Sequence, residues 1–202
     1  MPKLSPIVFL ALSLMLSCLG QPHPVKNRFL LAVSEEAPPA AAVNAAGRST
    51  LLLGAVTAAP ACDGRALVYR LGPDRYESDF YNEFLVPPTR LLAEALADRL
   101  TRAGKRLRVA AAPGLTVADF GLETHIQELY GDYSLTPPRA VLALRFTLND
   151  LRPIAAKVIL DRLYPCRRSL PEGARAADLV AAYGLCLGDI LDELALDLDR
   201  AI

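Results

Sequence analysis

The sequence predicts an α/β domain of the α+β kind, with one mixed, largely antiparallel sheet and two main amphipathic helices packed on it. Three observations carry this prediction. Residues 87–104 and 178–202 repeat apolar side chains every three or four positions, the period of a helix with one buried face. Short apolar runs at 51–58, 66–71 and 107–112 have the length of strands and are punctuated by Pro60, Asp63 and Gly64. Residues 121–163 hold three strand-like segments whose connections are too short for a crossover helix, so they form an antiparallel meander.

The chain opens with one charge, Lys3, and an apolar run over 7–16. That is the size of a signal-peptide core and well short of the roughly 20 residues needed to span a bilayer. Leu14-Met15-Leu16-Ser17-Cys18 places a small residue before a cysteine and looks like a lipobox, with Met15 and Leu16 as departures from the commonest form. The reading is a lipoprotein signal peptide over 1–17, lipidation at Cys18, a lipid-anchored tether over 18–27 and a periplasmic domain over 28–202. The alternative is a secretory signal cut after Gly20, leaving an unanchored protein. Three acyl chains on one cysteine hold a protein stably where a single chain does not. Leu19 rather than Asp after Cys18 favours the outer membrane by the sorting rule of enteric bacteria. The nine residues between Cys18 and Arg28 extend to about 30 Å, which keeps the domain near its membrane.

Phe29-Leu30-Leu31-Ala32-Val33 can add a strand, and 34–49, rich in Ala and Pro without an amphipathic period, reads as a mobile surface loop. Two strands follow, over 51–58 and 66–71. The helix that starts at Pro87-Pro88 has Leu92, Leu96 and Leu100 on one stripe and Gly104 as its stop. After a strand at 107–112, Leu122, Thr124 and Ile126 alternate with Glu123, His125 and Gln127, so one face should be wet. Pro137-Pro138 separates this strand from 140–148, and Asn149, Asp150 and Pro153 precede a strand over 154–163. The last helix buries Tyr183, Leu187, Ile190, Leu194 and Leu198 and turns Asp189, Asp192, Glu193, Asp197 and Asp199 outward.

Composition limits the partners. Lys plus Arg and Asp plus Glu both number 22, and no basic run occurs, which argues against nucleic acid because phosphate binding needs clustered cations. The densest basic stretch, Arg99, Arg102, Lys105, Arg106 and Arg108, reads as a solvated helix end or, more sharply, as a contact for anionic headgroups.

The block Leu67-Val68-Tyr69-Arg70-Leu71-Gly72-Pro73-Asp74-Arg75-Tyr76-Glu77, continuing through Phe80-Tyr81-Asn82-Glu83-Phe84 to Pro87-Pro88, resembles the auxiliary lipoproteins of ABC-type transport systems. So does the layout of lipobox, short extended segment, strand ending in Tyr-Arg, aromatic loop, helix, meander and final helix. Phe84 stands where the family usually has Trp, and the extra cysteines and the Ala/Pro segment mark a divergent member. The resemblance implies a non-enzymatic subunit that accompanies an ATPase, a permease and an Mce-type substrate-binding protein in lipid traffic across the envelope. It also permits a ring-like homo-oligomer. The competing expectation is a structural envelope lipoprotein that stabilises an assembly without a transport role.

The residues themselves suggest no catalysis, cofactor or metal. Nucleophile elbow, phosphate-binding loop, dinucleotide fingerprint and paired-cysteine motifs are missing from the sequence, and a hydrolase would require His125 beside a nucleophile such as Ser134. His125 reads instead as a solvated strand residue. Tyr76, Phe80, Tyr81 and Phe84 read either as a loop packed on sheet and helix or as an exposed partner interface. With Cys18 lipidated, Cys62, Cys166 and Cys186 remain. A Cys62–Cys166 disulfide is expected because both are placed in turns beside strands, and three reduced thiols are the alternative.

Overall fold

The computed structural model describes residues 25–33, 49–103, 107–110 and 117–202. Cys18, nearly all of the 34–49 segment and Gly104 lie outside the described residues. The elements are β1 (Asn27–Phe29), β2 (Ser49–Ala58), a 3₁₀ turn (Pro60–Cys62), β3 (Ala66–Arg70), β4 (Tyr76–Phe84), α1 (Pro88–Ala103), β5 (Leu107–Ala110), β6 (Phe120–Asp132), β7 (Arg139–Asp150), β8 (Lys157–Ser169) and α2 (Ala176–Ala201). They make an open, mixed sheet with two helices, the predicted class.

The meander is antiparallel throughout, with Phe120 paired to Asp150 and Asp132 to Arg139 across β6–β7, and Arg139 to Ser169 across β7–β8. On its other edge β6 is shared. Its first half runs parallel to β2, and its last residues run parallel to β3. Beyond β2 lies β5, parallel, while β3 carries β4, antiparallel, and β4 carries the short parallel β1. The two longest ladders are thus antiparallel, and four short ones are parallel.

α1 packs over β2 and β5, and α2 over β7 and β8, so one face of the sheet is covered. Leu92, Leu96 and Leu100 of α1 and Leu187, Leu191 and Leu194 of α2 are buried against Leu51, Leu122, Leu144 and Phe146. On the opposite face Glu123 and Gln127 are exposed and Arg145 pairs with Asp161 at 2.9 Å, so the wet face predicted for β6 is present. A register shift between Ile126 and Glu128 breaks the alternation, and Leu129 is buried where strict period two continued from Ile126 would expose it. Arg99 departs from both readings of the basic stretch. Its side chain is largely buried and pairs with Asp192, tying α1 to α2.

Three expectations are corrected. Residues 76–84 form a strand rather than a loop, because β3 and β1 pair with them from either side. Only Asn27–Phe29 is strand, and residues 30–33 leave the sheet edge. The disulfide joins Cys166 to Cys186, not to Cys62. Cys166 sits inside β8, which continues past Pro165 because an outer strand has no partner for the missing N–H. The buried stripe of α2 crosses β8 there, with Cα atoms 5.5 Å apart, while Cys62 is a buried free thiol beneath β6.

Candidate functional site

The edge formed by β1 and β4 has the features of a binding surface. Opposite the single residue Leu67 of β3, β4 places four residues, 79–82, in a wide bulge. Asp79 holds the bulge together. Its Oδ1 accepts the backbone N–H groups of Tyr81 at 2.7 Å and Asn82 at 3.0 Å, and its Oδ2 accepts the Tyr69 hydroxyl at 2.6 Å and the Asn82 amide at 2.7 Å. Burial would raise the carboxyl's pKa, but the bonds from Tyr69, Asn82 and the two backbone groups outweigh it and hold Asp79 below the usual carboxylate range. The Tyr69 phenol is pushed well above its ordinary value, first by burial and then by Asp79.

Held this way, the bulge turns Phe80 and Tyr81 outward. They are 60% and 56% exposed, and their rings meet edge to face at 5.3 Å. Lys26, just before β1, lies over the Phe80 ring with Nζ 5.0 Å from its centroid. Tyr76 is half-exposed, its ring edge-on to Tyr130 at 5.5 Å. Phe84 is removed from the expected interface. It is 1% exposed because its place beside Phe29 of β1 points it into the core towards Tyr183.

Glu83 anchors the start of the domain to this edge. Lys26 Nζ, Arg28 Nε and Arg65 Nη2 reach its carboxylate at 3.1, 3.1 and 2.7 Å. The hydrogen bond from Lys26 lowers its pKa most; burial opposes, and Arg28 and Arg65 add to the lowering. A carboxyl depressed in the folded state contributes stability that is present above its unfolded pKa of about 4.3 and is lost as pH falls through the folded value. Thermal stability of the native chain is therefore expected to fall more steeply below about pH 4.5 than that of a Glu83→Gln variant. Melting curves from pH 3 to 7 check this, and parallel slopes would count against the network.

On the helix side of the same edge neither helix covers the sheet. The result is a cleft of about 730 Å³ between Asn27, Phe29, Tyr69, Asn82 and Tyr133 and the first turn of α2. Asn27 donates to Asn82 at 3.0 Å, and Tyr69 and Tyr133 stack edge to face at 5.3 Å. The lining combines apolar surface with Asn27, Asn82 and Arg175, a mixture that suits the reception of a side chain or short segment. Sequence reasoning missed this cleft and the role of Asp79. The only local hint was an Asp followed by two and three residues whose N–H groups it caps, a common turn pattern.

His125 and Ser134 are not brought together. The Thr57 hydroxyl lies 2.8 Å from His125 Nδ1 on the open face, whereas the Ser134 hydroxyl donates to Asp132 at 2.5 Å. Eight residues of nearly extended chain separate the two, on the order of 25 Å. Among the described residues no group of three or more His, Cys, Asp or Glu is placed to hold a metal ion, and no helix is long and apolar enough to cross a membrane.

Residues 29–195 match the family described as the ABC-type transport auxiliary lipoprotein component. The match takes in the Phe80–Tyr81 bulge, Glu83 with Arg65, and most of the cleft, while Lys26 and Arg28 precede it. The crystal structure of an uncharacterized protein is similar with a TM-score of 0.68 and 15% identity, covering 86% of this chain and 99% of that one. A structure of a protein from Xanthomonas campestris is similar with a TM-score of 0.63 and 20% identity, covering 81% of this chain and 98% of that one. At these identities the likeness shows the fold. No curated protein is significantly similar to the chain.

Proposed function

Because the chain belongs to the family of ABC-type transport auxiliary lipoproteins, we propose that it is a non-enzymatic subunit of a transporter that moves lipids across the bacterial envelope, working beside an ATPase, a permease and an Mce-type substrate-binding protein. The match over residues 29–195 carries this reading, since it spans the sheet and most of the second helix. The chemistry of the described surface is consistent with it. The β1–β4 edge offers fixed rings, amides and a cleft, the groups that bind rather than transform. The Cys166–Cys186 bridge supports an oxidising compartment such as the periplasm.

In this reading Cys18 carries the lipid, residues 18–27 tether the domain, and Leu19 directs it to the outer membrane. A Cys18→Ala chain is expected to leave the outer-membrane fraction, and a deletion strain to lose its permeability barrier. Detergent-solubilised native protein should co-purify with the permease and the substrate-binding component. An intact barrier together with no co-purified transporter subunit would favour a purely structural envelope role and defeat the proposal.

A further inference from the structure

We propose that the outer side of the β1–β4 edge, formed by Val25, Lys26, Phe80 and Tyr81 with the cations around Glu83, is a contact surface for the headgroup–acyl boundary of an anionic phospholipid bilayer. Three independent observations point to this partner.

The first is the form of the aromatic pair. Phe80 and Tyr81 stand out on a bulge whose backbone is fixed by Asp79, so both rings are presented to solvent on a backbone that is already ordered. Rings with an apolar body and, in Tyr, a polar tip are favoured at the level of lipid headgroups. Val25, 86% exposed, adds aliphatic surface two residues before β1.

The second is charge. Lys26, Arg28 and Arg65 converge on the single carboxylate of Glu83, and with the Asp79 carboxylate of the bulge counted as well a surplus of one positive charge remains beside the rings. All three cations remain partly exposed while paired, with side-chain exposures of 37%, 56% and 39%. A basic rim around exposed aromatic rings complements a negatively charged lipid surface.

The third is position. Lys26, over the Phe80 ring, is where the tether meets the domain. The seven peptide steps from Cys18 to Val25 span at most about 25 Å. This third argument rests on the lipoprotein reading; the first two do not. The anchor would hold the protein at the membrane, and the ring pair would set which side of the domain faces it, leaving the cleft on the opposite face of the sheet open to the periplasm.

The test separates the two readings. The described fold begins at Val25, so residues 19–202 retain all of it without the acyl anchor. This protein is mixed with vesicles of phosphatidylethanolamine and phosphatidylglycerol, or of phosphatidylcholine alone, and sedimented. The expected result is binding to the anionic vesicles at least tenfold stronger than to phosphatidylcholine, and a further tenfold or greater loss in a Phe80→Ser/Tyr81→Ser variant with an unchanged melting temperature. The chain has no Trp, so Phe80→Trp in the full lipidated protein adds a single reporter. Its emission should shift to the blue and be quenched by brominated lipid. Failure of the anchor reading would leave the vesicle result standing. The contact surface is overturned if residues 19–202 ignore anionic vesicles, if the double variant binds them as well as the native protein, or if the indole at position 80 stays in water while the lipidated protein is bound. It is also overturned if the double variant keeps its vesicle affinity and instead loses the transporter subunits, which would assign the rings to a protein partner.

Discussion

A Cys166→Ala/Cys186→Ala variant is expected to be less stable than the native chain by about 3 kcal/mol, seen as a melting temperature lower by roughly 6–12 °C. The bridge closes a loop with a sequence separation of 20, and removing it returns that loop's conformational freedom to the unfolded chain. It also loosens the clasp between β8, an outer strand, and the helix that covers it. Cys62→Ala should leave the bridge intact. A tryptic digest without reductant tests the pairing directly, since Cys166 lies in peptide 163–167, Cys186 in 176–200 and Cys62 in 49–65. A cross-link that includes 49–65, or a double variant as stable as the native chain, would contradict the pairing.

Gly184→Ala is expected to lose about 2 kcal/mol, against the direction of helix propensity. Within α2, alanine should outperform glycine by up to about 1 kcal/mol. A Cβ at position 184, however, would stand 2.2 Å from the carbonyl oxygen of Ala32, and a backbone atom cannot rotate out of the way as a side chain can. Residues 30–33 cross the helices at this point, between α2 and the Leu91–Ala95 side of α1. Displacing them would open the segment that connects the tether to the domain, so trypsin should cut more readily at Arg28. Gly188 provides the control. A Cβ there would meet Val33 Cγ1 at 3.7 Å, an ordinary contact, and Gly188→Ala should be neutral or stabilising. Urea denaturation of both variants decides the matter, and two alanines with the same sign of effect would remove the argument for close backbone packing.

Legibility from sequence followed the range of the interactions. The two helices were readable because burying one stripe imposes a period of 3.6 on nearby residues, and Leu92, Leu96, Leu187 and Leu194 display it. The meander was readable because its short connections leave only antiparallel neighbours. Cys166 was misjudged for an equally physical reason. Pro165 resembles a strand terminator, and only the knowledge that β8 lies at an edge makes it a strand residue. The aromatic block left a packed loop and an exposed patch both open, and in the structure its members divide. Phe80 and Tyr81 are outside, Phe84 is inside, and the bulge that separates them depends on a carboxylate and a tyrosine ten residues apart.

The sequence by itself determined the class of this protein, its two helices, its three-stranded meander, the wet face of β6 and the family resemblance. Each is written in patterns a few residues long. Only the tertiary structure decided that β2 lies between β5 and β6, that β3 joins the far end of β6, and that β1 closes the edge beside β4. It alone chose the cysteine partner, seated residues 30–33 on Gly184 and left the cleft uncovered. The reason is that strand neighbours, cross-links and recesses arise from contacts between residues distant in the chain. A residue's own type and its local period state which way it faces, but not what will be waiting there.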